Sequence, residues 1–267
     1  MRSSLKILIP TMNNKLLSNY HMHTARCGHA TGTDREYVES AIRYGYKTIG
    51  FSDHTPQPFP NGFISPVRMR CTELDGYVDS VLKLKDEYRS DIKILLALEV
   101  EVIPSCFEEW QKLVSPYPFD YFLHAQHFVP NEYEGTYSMR LTDSEQVLKQ
   151  YVDLSIESMQ AYNFLYLAHP DLIHFADTRS EVYSLEMHRL CECAKDHNLP
   201  LEINLLGVRD HRSYPTDDFW RIAGEVGNTV VIGTDAHSPN AMNPGIAFKV
   251  AMKLIERYHL NWKQDLL

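Results

Sequence analysis

Tyr20-His21-Met22-His23-Thr24-Ala25-Arg26-Cys27-Gly28-His29 is the stretch that decides how this chain folds. It follows the apolar pair Leu16-Leu17 and reads as the end of a buried strand opening into a loop. In an extended strand, residues two apart point the same way. His21 and His23 therefore aim both imidazoles at one ion, and His29 returns to the same place from the loop. A lone His-x-His is as easily a pair of ordinary hydrogen-bonded histidines. Other strand-like segments that end in a residue of the same kind change the odds.

They recur in order. Thr33 and Glu36 make a capping box for a helix carrying Tyr37, Val38, Ala41 and Ile42 and stopping near Gly45. Lys47–Phe51 reads as a second strand, ending in Ser52-Asp53-His54. A loop with Pro56, Pro58, Pro60 and Pro66 follows, long enough to be a wall or lid. Thr72 opens the next helix, and Ile92–Leu98 is a nearly continuous apolar run, as expected of a strand buried on both faces, ending in Glu99-Val100-Glu101. Tyr121–Leu123 leads into His124-Ala125-Gln126-His127. Thr142 and Glu145 cap a further helix, and Phe164–Ala168 is a fifth strand ending in His169-Pro170-Asp171. A helix around Val182–Ala194 precedes Leu199–Asn204, and Thr229–Gly233 ends in Thr234-Asp235-Ala236-His237.

Strands alternating with helices are the pattern of a parallel α/β sheet. Ligand-type residues at almost every strand end fit a closed or nearly closed barrel, whose post-strand loops open on one face, better than an open sheet with one switch point. The expected fold is a distorted, TIM-barrel-like (β/α)7 barrel in one domain spanning residues 1–267. Its top collects His21, His23, His29, Asp53, His54, Glu99, His127, His169, Asp235 and His237. Imidazoles with carboxylates suit Zn, Mn or Fe, and ten donors are too many for one ion. A two- or three-metal cluster is the reading, with Glu99 able to bridge. Seven of the 13 histidines sit just beyond strand ends, so ordinary core or surface roles do not account for the set.

Bulk properties narrow the classes. The chain has 267 residues, 44% apolar and 23% charged, as in soluble globular proteins. Net charge is −9 with no basic run, which argues against a nucleic-acid-binding surface. Five scattered cysteines suit reduced thiols in a cytoplasm. Leu5–Ile9 is too short for a signal peptide or a membrane span, and Pro10 follows it. No membrane partner is expected, and the oligomeric state is not legible.

The motifs His21-x-His23, Asp53-His54, Glu99, His127, His169-Pro170 and Asp235-Ala236-His237 resemble the PHP (polymerase and histidinol phosphatase) family. "HMHTARCGHA", "FSDHTP", "LEVEV", "HAQHFV", "AHPD", "LEINLLGVR" and "GTDAHSP" are similar, more closely, to its phosphatases of histidinol phosphate. The resemblance runs from about Ser18 to about Ile246. It implies a trinuclear centre of divalent ions. His21, His23, Glu99 and Asp235 would hold the first, Glu99 with His127 and His169 the second, and His29, His54 and His237 the third. Small residues usual before the fourth-strand histidine are replaced by His124-Ala125-Gln126. His127 is preferred to His124 because Phe128-Val129 follows it as in the family. Asp53 becomes a partner orienting a ligand.

The activity implied is metal-dependent hydrolysis of L-histidinol phosphate to L-histidinol and phosphate, a step of histidine biosynthesis, by a hydroxide bridging two metals. Glu99 and Asp235 are the catalytic candidates. Arg209, past the sixth strand, is the first candidate cation for phosphate and Arg68 the second; each is otherwise a surface ion pair. Glu101 is a candidate partner for the substrate amine, or a solvated strand end. Met22, Phe63 and Tyr137 are candidates for the imidazole pocket. Asp171 or a bound water would protonate the leaving group. Asn204 touches phosphate or forms a turn, and Cys27 reads as a small packed residue. His174, His188, His197, His211 and His259 have no ligand-like setting. Two rivals remain: a phosphoesterase of the same family acting on nucleotides or other small phosphoesters, and a catalytically dead metal-binding scaffold.

Overall fold

Thr48–His54 (β2) and Lys93–Val100 (β3) run parallel, in register from Thr48 opposite Lys93 to His54 opposite Glu99. The computed structural model describes residues 15–267, so Leu5–Ile9 lies outside the described residues. Both strands are buried along almost their whole length, and alternation sorts β3 between two cores. Ile94, Leu96 and Leu98 face the outer layer of helices, whereas Leu95 and Ala97 join Tyr20, Tyr121, Tyr166 and Val231 in the barrel interior. Glu99 continues the inward row and emerges at its top. Gly50 leaves room inside for Tyr121, whose hydroxyl oxygen would stand 1.7 Å from any Cβ there.

Ser18–Asn19 (β1) flanks β2, and Tyr121–His124 (β4) flanks β3. The expected fifth strand, Phe164–Ala168, is reduced to one bridging position. Leu167 pairs with His124 on one side and Leu201 on the other. Its amide donates to the carbonyl of Pro200 (3.0 Å), a residue with no N–H to return. His169 then leaves the strand with φ 30°. Leu201–Asn204 (β7) and Thr229–Gly233 (β8) complete the wall. Met22 bridges Ala236, and the His23 amide donates to the Ala236 carbonyl at 2.9 Å, returning β8 to β1. The ring is a distorted, TIM-like parallel barrel.

Below that closure β8 and β1 part, and the C-terminal residues fill the gap. Asn261–Trp262 (β9) pairs with the start of β8. The Leu266 amide donates to the Tyr20 hydroxyl at 3.0 Å, and the Leu17 amide donates to Gln264. A hairpin of Phe128–Val129 (β5) and Thr136–Tyr137 (β6) rises beside the top.

Helices α1 (Asp34–Tyr44), α2 (Leu74–Glu87), α3 (Phe107–Val114), α4 (Glu145–Ala161), α5 (Glu181–Asp196), α6 (Leu205–Arg209), α7 (Asp217–Val226) and α8 (Gly245–Tyr258) connect the strands. The Thr33–Glu36 capping box and the left-handed Gly45 bound α1 as expected. Two starts differ from the sequence reading. Glu73 turns back to accept from the Arg70 amide (2.8 Å), so Thr72 lies in a 3-10 turn and α2 begins at Leu74. Ser144, not Thr142, caps α4; Thr142 accepts from the Ser144 amide, outside the helix. Among the described residues no helix is long and apolar enough to cross a membrane.

Candidate metal centre

Glu99 stands at the middle of the barrel top with no exposure to solvent, and its two oxygens face different histidines. Oε1 lies 2.9 Å from His169 Nε2, 3.2 Å from His21 Nε2 and 3.6 Å from His127 Nε2. Oε2 lies 2.7 Å from His54 Nδ1 and 3.8 Å from His23 Nε2. The His54 approach lacks hydrogen-bond geometry, leaving both atoms buried without a bonding partner among the described residues. Asp235 enters from β8 with Oδ1 3.0 Å from His23 Nε2, 3.6 Å from His21 Nε2 and 3.3 Å from His237 Nδ1. His169 and Asp235 have φ of 30° and 46°. Such left-handed, non-glycine positions concentrate at functional sites.

The histidine nitrogens test whether ions fit. His237 Nδ1 faces the Asp235 carbonyl (3.2 Å) and His29 Nδ1 faces the Cys27 carbonyl (3.0 Å). Carbonyls only accept, so both Nδ1 atoms carry the proton and both Nε2 atoms are bare. Those Nε2 atoms stand 3.0 Å apart. Two lone pairs so placed need a cation. The Nε2 atoms of His21 and His23 meet likewise at 3.1 Å, while their Nδ1 atoms face Glu202 (2.8 Å) and Asp53 (3.4 Å). Donor atoms of His23, His54 and His237 lie within 4.8 Å of one another, as do those of His21, His169 and Asp235.

Charge tells the same story. Burial opposes a charge on His21, yet Glu202, Asp235 and Glu99 raise it well above its ordinary value. Burial also opposes a charge on His23, and hydrogen bonds to Asp235 and Asp53 raise it to about 9. Burial and the nearby His23 hold His54 well below its ordinary value and His237 down to about 3. Glu99 and Asp235 are penalised by burial but kept ionised by the histidines against them, His127 foremost for one and His21 for the other. In the ion-free chain, protons supply the positive charge that these carboxylates require. The donor set fits divalent metals.

Support comes partly from a residue that no ligand motif of the sequence marks. Glu202, fully buried on β7, accepts from His21 Nδ1, the Tyr166 hydroxyl (3.2 Å), the His169 amide (3.0 Å) and Asn204 Nδ2 (2.9 Å). Asn204 also donates to Asp235 Oδ2 (3.1 Å) and caps α6 through its oxygen. Its contacts are a turn and a brace. Asp53 bonds His23, Thr24 and the His54 amide.

A cleft of about 730 Å³ opens over the centre, lined by His29, His54, His127, His169, Asp235 and His237 among others. His127 belongs to it; His124 does not, its ring lying against Phe164 with Nδ1 3.3 Å from the Val100 carbonyl. Arg68 lines the cleft, paired with Glu101 and with Glu132 (2.6 Å), and its buried Nη1 has no partner among the described residues. Phe63 and Tyr137 line it and Met22 does not. Arg209 is outside the lining and donates to the carbonyls of Thr234 (2.7 Å) and Asp235 (3.4 Å). Arg212, not singled out from sequence, lines it. Glu101 is buried and committed to Arg68, Gln126 and the amides of His127 (3.1 Å) and Phe128 (2.7 Å). Asp171 lies outside the lining and accepts from the Thr216 amide at 2.7 Å.

The family profile described as "PHP domain" matches residues 19–205. The chain belongs to the PHP family. A Deinococcus radiodurans relative, "Probable histidinol-phosphatase", is 30% identical over 90% of this chain and 92% of its own. A Schizosaccharomyces pombe protein of the same description is 25% identical over 89% of this chain and 85% of its own. The PHP fold is shared with a histidinol phosphate phosphatase from Lactococcus lactis, solved with zinc, L-histidinol and phosphate (TM-score 0.69, 19% identity, 92% of this chain and 95% of that one). The PHP match stops short of Asp235 and His237, which the barrel closure brings back to the centre.

Proposed function

We propose that this PHP chain is a metal-dependent phosphomonoesterase that hydrolyses L-histidinol phosphate to L-histidinol and phosphate. The observation that carries this reading is the division of Glu99's oxygens between two groups of histidines under an open cleft. Relatives described as histidinol-phosphatases along nearly the whole chain support the substrate.

Three divalent ions are the occupancy we infer: His21, His23, Glu99 and Asp235 would hold one, Glu99, His127 and His169 the next, and His29, His54 and His237 the third. The imidazole-rich donor set suits zinc, manganese or iron. Such ions lower the pKa of a bound water and polarise a phosphoryl oxygen. The chain's own residues do the rest. Glu202 and Asp53 fix the tautomers of His21 and His23, so that Nε2 of each faces inward. Arg68 and Arg212 line the cleft as guanidinium groups suited to a phosphate, Arg212 with a 3.4 Å ion-pair contact to Asp210. Phe63, Phe128, Leu172 and Leu206 give the cleft apolar walls for an imidazole ring.

Phosphate release from L-histidinol phosphate, set against sugar phosphates and nucleotides with Zn or Mn supplied, tests this. A strong preference for histidinol phosphate, lost in His169→Asn, is the expected result. Turnover of the panel without that preference would remove the substrate assignment. A metal-loaded chain inactive on every phosphoester would remove the enzyme.

A further inference from the structure

Cys27 is fully buried at the edge of the metal centre, and the three ligand sets leave it without a role. The sequence places it there. Thr24 caps a 3-10 turn over Ala25–Cys27, and Gly28 ends it in the left-handed region with φ 82°. The chain therefore doubles back, bringing Cys27 and His29 to one side of the site. The Cys27 sulfur, a nitrogen of His29 and a nitrogen of His237 lie within 4.8 Å of one another. Separately, the His29 and His237 Nε2 lone pairs face each other at 3.0 Å with no proton to share.

We propose that Cys27 is a further ligand of the outer ion assigned to His29, His54 and His237, making that position a mixed nitrogen–sulfur site. This rests on the metal-centre reading. On binding, the S–H proton is released to solvent and a sulfur lone pair forms the bond to the ion; no oxidation state changes. A metal-coordinated thiol is deprotonated outright, so the thiolate exists only in the loaded chain. A sulfur donor biases the outer position toward thiophilic ions and away from manganese.

Cobalt(II)-loaded protein gives the test, because thiolate-bound cobalt absorbs by charge transfer in the near ultraviolet and imidazole- or carboxylate-bound cobalt does not. The whole chain should show this band at a strength of one thiolate, and both Cys27→Ala and Cys27→Ser should lose it. The preference for cadmium over manganese, measured by competition, should fall about tenfold in the variants. Absence of the band from the unmodified chain overturns the proposal whatever the variants do. So does its survival in a folded Cys27→Ala, the variant expected to pack if serine does not. The spectrum is read without substrate. Failure on histidinol phosphate with the band present would remove the substrate alone, and turnover without the band would remove the thiolate alone.

Discussion

Glu202 shows how far a single side chain can govern the centre without facing the cleft. It takes four hydrogen bonds, two of them from His21 and from the His169 backbone. Gly233 makes this possible, since a Cβ there would stand 1.7 Å from Glu202 Oε1. Glu202→Gln removes the charge that holds His21 in its tautomer, and Gly233→Ala pushes the carboxylate aside. Each should lower metal affinity and kcat/KM by about ten- to hundredfold with the far-ultraviolet circular dichroism unchanged. Ion content after dialysis reads the result; wild-type content in both variants would remove the supporting role. The histidines were legible because extended chain puts residues two apart on one side, and because strand ends of a barrel share a face. Glu202 was not, because within Leu-Glu-Ile-Asn a buried brace and a solvated strand position look alike.

At the scale of elements, β2, β3 and α1 were legible, since each carries a full period or a cap in its own residues. Hairpin β5–β6 and strand β9 have two residues per strand, too few for any period, and exist only through partners distant in sequence. The Pro-rich loop was legible as a wall, but not what holds it. Arg68 lies between Glu101 and Glu132, joining the loop to the strand-end turn and to the hairpin segment. Phe59 and Phe63 pack on Tyr133 across the same seam. Glu101→Gln halves the compensation of a buried guanidinium and should cost about 3 kcal/mol in thermal or denaturant unfolding. Hydrogen exchange should rise in the loop and the hairpin together. KM should rise equally for histidinol phosphate and for an analogue lacking its amine. A rise confined to the amine-bearing substrate would instead restore Glu101 as the ammonium partner.

For the whole molecule, ions and protons compete for the groups that lock the ring, because His23 sits where β8 returns to β1. In the ion-free chain, burial works against a charge on His23, and hydrogen bonds to Asp235 and Asp53 raise it from 6.5 to about 9. A raised histidine stabilises the fold fully below its unfolded value, and that contribution is lost as pH climbs through the folded one. The chelated chain should therefore lose stability across this window. His54 and His237 are held below their ordinary values. They act in the opposite sense, but only at lower pH, where the unfolded chain takes up their protons. Loaded with ions, His23 carries no proton across the window and its slope vanishes. At free metal about one hundred times Kd, the loaded chain gains about 2.7 kcal/mol, and at roughly 2–4 °C per kcal/mol Tm rises by about 5–10 °C. The gap between loaded and chelated Tm should widen with pH over that interval, with protons released on loading. A gap that stays constant or narrows as pH rises would mean that His23 does not exchange its proton for an ion.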